Sequence, residues 1–304
     1  RTPYPIGVTK VDAIDGSPLE GVIFGLYDGN TEGAALLETL PGTDSNGYAE
    51  TVNDYAPGTY YLKELSTING YELNTDFHEV IVGIGQEDGL AVITVDNDRT
   101  PYPISVIKID AISEEPLEGV IFELYDGNTE GAALLETLPE TDSNGYAETA
   151  NDYAPGTYYL KELYTINGYE LNTDFHEIVV TIGQENGVAT LTVDNDRTSY
   201  PIEIIKLDSG NETGLPGVIF RVYQEVMGEK VAVSGDLTTD ASGVATSDPL
   251  APGQYFVQEV SVPNGYELDD TYYPVTVAIG QENEKVTITI YNVRTPYPIG
   301  VTKV

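Results

Sequence analysis

The sequence predicts an all-β chain of three tandem antiparallel β-sandwiches strung as an elongated rod, and three observations predict it. The stretch IGVTKV at 6–11 returns as ISVIKI at 104–109, IEIIKL at 202–207 and IGVTKV at 299–304, so Lys10, Lys108, Lys206 and Lys303 are spaced by 98, 98 and 97 residues. Within each period, short runs alternate apolar and other residues at the spacing of a strand. Turn sequences of the type DGSP, DGN, DSNG, APG, ING and QEDG separate the runs.

Taken in order, the first period offers seven strands: IGVTKVD, GVIFGLYD, AALLETL, GYAETV, GTYYLKEL, HEVIVGI and LAVITVDN. TEGAALLETL also has the composition of a short helix. Seven short strands in under 100 residues fit a small sandwich of immunoglobulin-like architecture. Repeats one and two are near copies, sharing YDGNTEGAALLETLP, NDYAPGTYYLKEL and TINGYELNTDFHE; repeat three keeps the skeleton as LPGVIFRVY, LAPGQYFVQEV and PNGYELDD. The expected domains are 1–98, 99–196 and 197–293, with 294–304 opening a fourth, truncated copy. The junctions DNDRTPYPI, DNDRTSYPI and YNVRTPYPI carry proline, which fixes φ and makes them stiff connectors.

Bulk properties narrow the function. Fifty acidic against 13 basic residues give a formal charge of −37, which argues against nucleic acid or an anionic membrane as partner. Cysteine is absent, so neither disulfides nor cysteine-bound metals can stabilise the fold. No apolar run has membrane-spanning length, so direct membrane insertion is not expected. No cofactor or metal site is expected either. Asp44-Ser45-Asn46-Gly47 has a calcium-loop flavour but lacks the glutamate at the required spacing, and a hairpin turn is the better reading. His78 and His176 are equivalent, with Tyr273 at their place in repeat three; they read as surface decoration of a strand. Many of the 23 tyrosines lie at strand positions, where packing explains them.

One set of polar residues stands on inward faces in all three repeats. The first strand contributes Lys10, Lys108 and Lys206; the strand after the APG turn, Glu64, Glu162 and Glu259; the last strand, Asn97, Asn195 and Asn292. Lysine and glutamate are 54, 54 and 53 residues apart, glutamate and asparagine 33 in every repeat, while neighbouring polar positions drift. An inward, unpaired ammonium is costly. Desolvation lowers a lysine's pKa and raises a glutamate's, favouring a nucleophilic amine and a protonated acid that can hydrogen-bond the amide oxygen. Attack on the asparagine carboxamide, with loss of ammonia, would join first and last strands once per domain. The same residues also allow a second reading, a satisfied buried network with no bond formed.

K-x-D in the first strand, G-V-I-F-x-L-Y, D-S-N-G, A-P-G-x-Y-x-L-x-E, N-G-Y-E-L and the closing V-x-N resemble Cna protein B-type domains, repeats of Gram-positive surface adhesins and pilins. The resemblance covers all three repeats. It implies the sandwich fold and autocatalytic Lys–Asn isopeptide bonds with a glutamate catalyst: Lys10, Glu64 and Asn97; Lys108, Glu162 and Asn195; Lys206, Glu259 and Asn292. No LPxTG-type sorting signal and no YPK pilin motif occurs in these residues. The function this implies is a structural stalk of an extracellular, cell-surface adhesin. It would be a monomer whose partners are other domains of the same adhesin, and self-cross-linking would happen once rather than as enzyme turnover. The competing reading is a repeat array that binds a host matrix protein or glycan through acidic, tyrosine-rich faces. In the fourth copy Lys303 has no domain behind it and is expected to stay a free amine.

Overall fold

A computed structural model describes residues 1–85, 89–296 and 300. Repeat one contains the seven expected strands: β1 (Ile6–Asp12), β2 (Ile23–Tyr27), β3 (Leu36–Thr39), β4 (Tyr48–Glu50), β5 (Gly58–Ser66), β6 (Phe77–Val82) and β7 (Ala91–Asn97). The stretch with helical composition, TEGAALLETL, is strand in its second half, over Leu36–Thr39. They form two sheets, a three-stranded one in the order β4-β1-β7 and a four-stranded one in the order β3-β2-β5-β6. Repeat two repeats the plan with β8 (Ile104–Asp110), β9 (Ile121–Tyr125), β10 (Leu134–Thr137), β11 (Tyr146–Glu148), β12 (Gly156–Tyr164), β13 (Phe175–Val180) and β14 (Ala189–Asn195).

Repeat three adds a hairpin. Its strands are β15 (Ile202–Asp208), β16 (Ile219–Val226), β17 (Glu229–Ala232), β18 (Leu237–Thr238), β19 (Val244–Thr246), β20 (Gly253–Ser261), β21 (Tyr273–Val277) and β22 (Val286–Asn292). Met227 and Gly228 both have positive φ between β16 and β17, the pairing a tight two-residue hairpin turn requires. Here β17 and β18 both pair with β16.

Between the sheets of repeat one lies a core that includes Ile6 and Val8 from β1, Phe24 and Leu26 from β2, Leu62 from β5, Val80 and Val82 from β6, and Ala91 and Val95 from β7. Each strand contributes alternate residues, as a half-buried sheet demands. In β1 the same alternation carries Lys10 and Asp12 inward behind Ile6 and Val8.

One pairing departs from a purely antiparallel sandwich. β1 and β7 run parallel and in register over seven residues, from Ile6 opposite Ala91 to Asp12 opposite Asn97. A parallel neighbour needs a long crossover, and the remainder of the repeat is that crossover. β8–β14 and β15–β22 pair identically.

The Asp44–Gly47 turn also differs from expectation. It joins β3 to β4, which belong to different sheets, so it is a turn between layers rather than a hairpin. Asp44 Oδ1 accepts from the amides of Asn46 and Tyr48, both at 2.9 Å. The Gly47 carbonyl accepts from the Lys10 amide at 2.7 Å, and a Cβ at Gly47 would sit 2.2 Å from the Lys10 carbonyl oxygen. Glycine here lets the turn lie directly on β1.

The connectors are short because both neighbours hold them. Arg99 bridges to Tyr71 of repeat one, and Tyr102 bridges to Tyr153 of repeat two. The Thr100 amide donates to the Gly70 carbonyl at 2.9 Å. Pro101 alone spans the gap between these ties, and Ser199 takes its place between repeats two and three, where Thr198 is tied to Gly168 and Tyr200 to Leu250. The expectation for Lys303 and most of the fourth copy lies outside the described residues.

Candidate cross-linking site

Lysine and asparagine of each triad come from the adjacent strands β1 and β7, and the glutamate comes from β5 in the facing sheet. In parallel register Lys10 stands opposite Val95, so its side chain runs one same-face step along β7 to Asn97. Lys10, Glu64 and Asn97 are 0%, 1% and 2% exposed. Nζ of Lys10 donates to Oδ1 of Asn97 at 2.7 Å and to the Val95 carbonyl at 3.3 Å. Nδ2 of Asn97 donates to Oε1 of Glu64 at 2.9 Å, and Oε2 of Glu64 lies 3.7 Å from Nζ.

All nine residues are buried and grouped in threes, but the three sites are not identical. In repeat two Asn195 Nδ2 donates to Glu162 Oε1 at 2.8 Å, while Lys108 donates to the Val193 carbonyl at 3.2 Å and Asn195 Oδ1 has no partner. In repeat three Lys206 donates to Asn292 Oδ1 at 2.5 Å, and Asn292 Nδ2 faces both oxygens of Glu259, at 2.7 and 3.1 Å. The second Glu259 oxygen also accepts from the Asp269 amide at 2.9 Å, whereas Oε2 of Glu64 and of Glu162 has no hydrogen-bond partner.

Burial sets the electrostatics. It pulls Lys10, Lys108 and Lys206 down to about 8, although the nearby glutamates oppose it. It also pushes Glu64, Glu162 and Glu259 upward against their hydrogen bonds and the lysines. Both shifts favour neutral forms, because a low-dielectric site penalises either charge. A charged Lys10 is therefore costly to the fold.

The orientation of the amide refines the role open to the glutamate. The sequence places the acid against the carbonyl oxygen, but the side chain faces the amide nitrogen, which would be the leaving group, and in repeats one and three the lysine faces the oxygen. Thr67 and Thr165 also accept from the asparagine nitrogens at 2.9 Å. Val262 stands at that position in repeat three, so comparing repeats gives no signal for the threonine. A cleft of about 290 Å³ lined by Glu72, Asp76, Asp96 and Asp98 reaches Asn97 from solvent.

A second constellation, built on a buried aspartate, recurs beside each triad. Asp12 accepts from Arg99 Nε at 2.7 Å and Tyr71 OH at 2.8 Å through one oxygen, and from the Ile14 amide at 2.7 Å through the other. Burial works to raise this carboxyl, but the bonds from Arg99, Ile14 and Tyr71 prevail and lower it to about 2. Asp110 with Tyr169 and Arg197, and Asp208 with Tyr266 and Arg294, repeat the clasp. Each clasp fastens the residue two past the asparagine back onto the first strand.

His78 and His176 correct the reading of surface decoration. His78 shares the inward face of β6 with Val80 and Val82, and its Nε2 is buried without a partner, as is that of His176. Burial lowers both rings below 6.5, with Lys10 and Lys108 adding repulsion and nearby aspartates opposing. A folded-state value below the unfolded one means stability is full above about 6.5 and declines as pH falls through that region. Thermal melts at pH 7.5 and 5 are expected to show that loss, and His78→Tyr with His176→Tyr, which copies Tyr273, is expected to reduce it. An unchanged pH dependence in the double variant would refute the assignment.

Comparison with known proteins places the three repeats in a family. The SpaA prealbumin-like fold domain matches three times, over residues 5–99, 103–197 and 200–294. The chain belongs to this family, in keeping with its resemblance to Cna B-type repeats. The trypsin-resistant surface T6 protein of Streptococcus pyogenes serotype M6 is 39% identical over 77 residues, a match spanning 25% of this chain and 13% of that protein. Among solved structures, the TIE protein of Bacillus anthracis matches at 22% identity and a TM-score of 0.43, over 96% of this chain and 51% of that one. BcpA, the major pilin subunit of Bacillus cereus, matches at 17% identity and a TM-score of 0.36, over 97% of this chain and 100% of that one.

Proposed function

We propose that the chain is a stalk segment of a Gram-positive surface adhesin or pilus, and that each repeat locks itself with one Lys–Asn isopeptide bond. One observation carries the chemistry: a desolvated lysine amine 2.7 Å from the oxygen of an asparagine whose nitrogen faces a buried glutamate. Surface location and the stalk role draw on the family and on the streptococcal surface protein and Bacillus pilin it resembles.

The neutral amine of Lys10 attacks Cγ of Asn97. Glu64, starting as the acid, protonates Nδ2, so the C–N bond breaks with ammonia as the leaving group, and the resulting carboxylate takes the proton that the amine sheds. One amide bond forms, one breaks, and the glutamate ends protonated as it began. The acidic cleft over Asn97 offers ammonia a short polar exit, where it would leave as ammonium. The chemistry is spent on the chain itself, so no external substrate is turned over.

The mechanical consequence follows from the strand pairing. Parallel β1 and β7 carry tension entering at Ile6 and leaving beyond Asn97, and such loading slides the strands past each other. A covalent tie between them stops that slide. Proteolysis with tandem mass spectrometry tests the assignment directly. A branched peptide joining the Lys10 segment to the Asn97 segment is expected, and recovery of only linear peptides carrying Lys10 and Asn97 would overturn it.

A further inference from the structure

We infer that the Asn–Gly loop of each repeat and the Ile–Gly loop of the next form a specific joint, and that Ile84–Gly85 is an open receiving half fitting the Asn–Gly loop of another repeat of this type. The inference is independent of whether the lysines are cross-linked.

Two mated copies are present. Gly70 of repeat one lies so near repeat two that a Cβ on it would sit 2.5 Å from the Gly183 amide nitrogen and 2.6 Å from the Ile182 side chain. Gly168 of repeat two stands in the same relation to Gly280 and Ile279 of repeat three, at 2.4 and 2.7 Å. Seen from the receiving side, a Cβ at Gly183 or Gly280 would meet Nδ2 of Asn69 or Asn167 at 2.6 or 2.7 Å. Asn167 Nδ2 also donates to the Gly280 carbonyl at 3.4 Å. At Gly70 and Gly168 the contact is with backbone, which glycine permits, while at Gly183 and Gly280 the nearest neighbour is the asparagine side chain. The connectors reinforce it, since Thr100 and Thr198 bond to the carbonyls of Gly70 and Gly168 at 2.9 and 2.8 Å.

Among the described residues each half also occurs once without its counterpart. Ile84 is 74% exposed where Ile182 and Ile279 are each 43%. Among the described residues nothing lies within 4 Å of a Cβ built on Gly85 or on Gly265. Halves that mate head to tail, each on a different face, make a heterologous interface that accepts repeats without closing. The occupant of Ile84–Gly85 is therefore an Asn–Gly loop, recognised as Gly183 and Gly280 recognise theirs.

The free halves supply matched controls. Gly168 and Gly265 have nearly equal φ, +95° and +99°, as do Gly280 and Gly85 at +63° and +71°. Alanine at either member of a pair brings the same backbone strain, but only Gly168 and Gly280 bring the clash. The chain has no cysteine, so spin labels on Ile112→Cys and Met227→Cys, both exposed, report the distance across the second joint by double electron–electron resonance. One narrow distance is expected for the parent and for Gly265→Ala, and a broad distribution for Gly168→Ala. If Gly168→Ala does not fold, Gly280→Ala against Gly85→Ala makes the same comparison. A parent distribution as broad as that of the clashing variants, or clashing variants as narrow as the parent, would overturn the joint. For the open half, residues 103–196 fused ahead of Arg1 are expected to slow alkylation of Ile84→Cys several-fold relative to the same variant without the fusion. An unchanged rate would overturn that part.

Discussion

The intact mass of the folded chain is expected to fall about 51 Da below the mass of its sequence, about 17 Da for each ammonia lost. Glu64→Gln, which keeps the side chain's volume and removes its acid, is expected to restore about 17 Da and leave the other two losses in place. Lys10→Met is expected to restore the same loss by removing the nucleophile. A parent mass equal to that of the sequence would leave the second reading, a buried network without a bond. The pH dependence of any slow cross-linking after refolding follows from the two shifts. Lys10 becomes a free amine as pH rises through about 8, while Glu64 must keep its proton. The rate is therefore expected to peak and then fall, because each group is needed in its neutral form.

Under load, the cross-linked repeat is expected to release no chain between Lys10 and Asn97. In Glu64→Gln the 86 residues between them become extensible, adding roughly 300 Å at about 3.5 Å per residue. Single-molecule pulling separates the two outcomes, and an added step of that length in the parent would sink the load-bearing reading. Closing a loop of this size also removes unfolded-state entropy, on the order of 4 to 5 kcal/mol by the logic that applies to disulfides. For a domain of this size that corresponds to a drop of roughly 20 to 35 °C in the melting of repeat one when the bond is absent.

Strand positions were legible because alternation survives in single sequences, and Lys10, Glu64 and Asn97 were legible because three repeats hold them while their neighbours drift. The same comparison also holds Asp12, Tyr71 and Arg99 with their counterparts, so the clasp was within reach; nothing in the residue types announces a ligand, and a motif with only a structural role is easily passed over. The inward face of His78 could be counted from Val80 and Val82. The parallel sense of β1 and β7 could not, because alternation is the same in either direction. Nor could the side of the amide that meets Glu64, which depends on where two sheets place three side chains. The joint was not legible either: its glycines recur in every repeat, but Gly70 and Gly183 are distant in sequence and each resembles any turn glycine.

The parallel pair has a geometric consequence for the array. Because β1 begins where β7 begins and both run the same way, the chain enters a repeat at one pole and departs at the other. The paired segment is seven residues long, about 23 Å at 3.3 Å per residue, and each repeat therefore moves the chain forward by at least that span. Reversing either strand would return the chain to the pole it came from, and successive repeats would crowd together instead of advancing. Direction of travel through each repeat is thus written into one pair of strands.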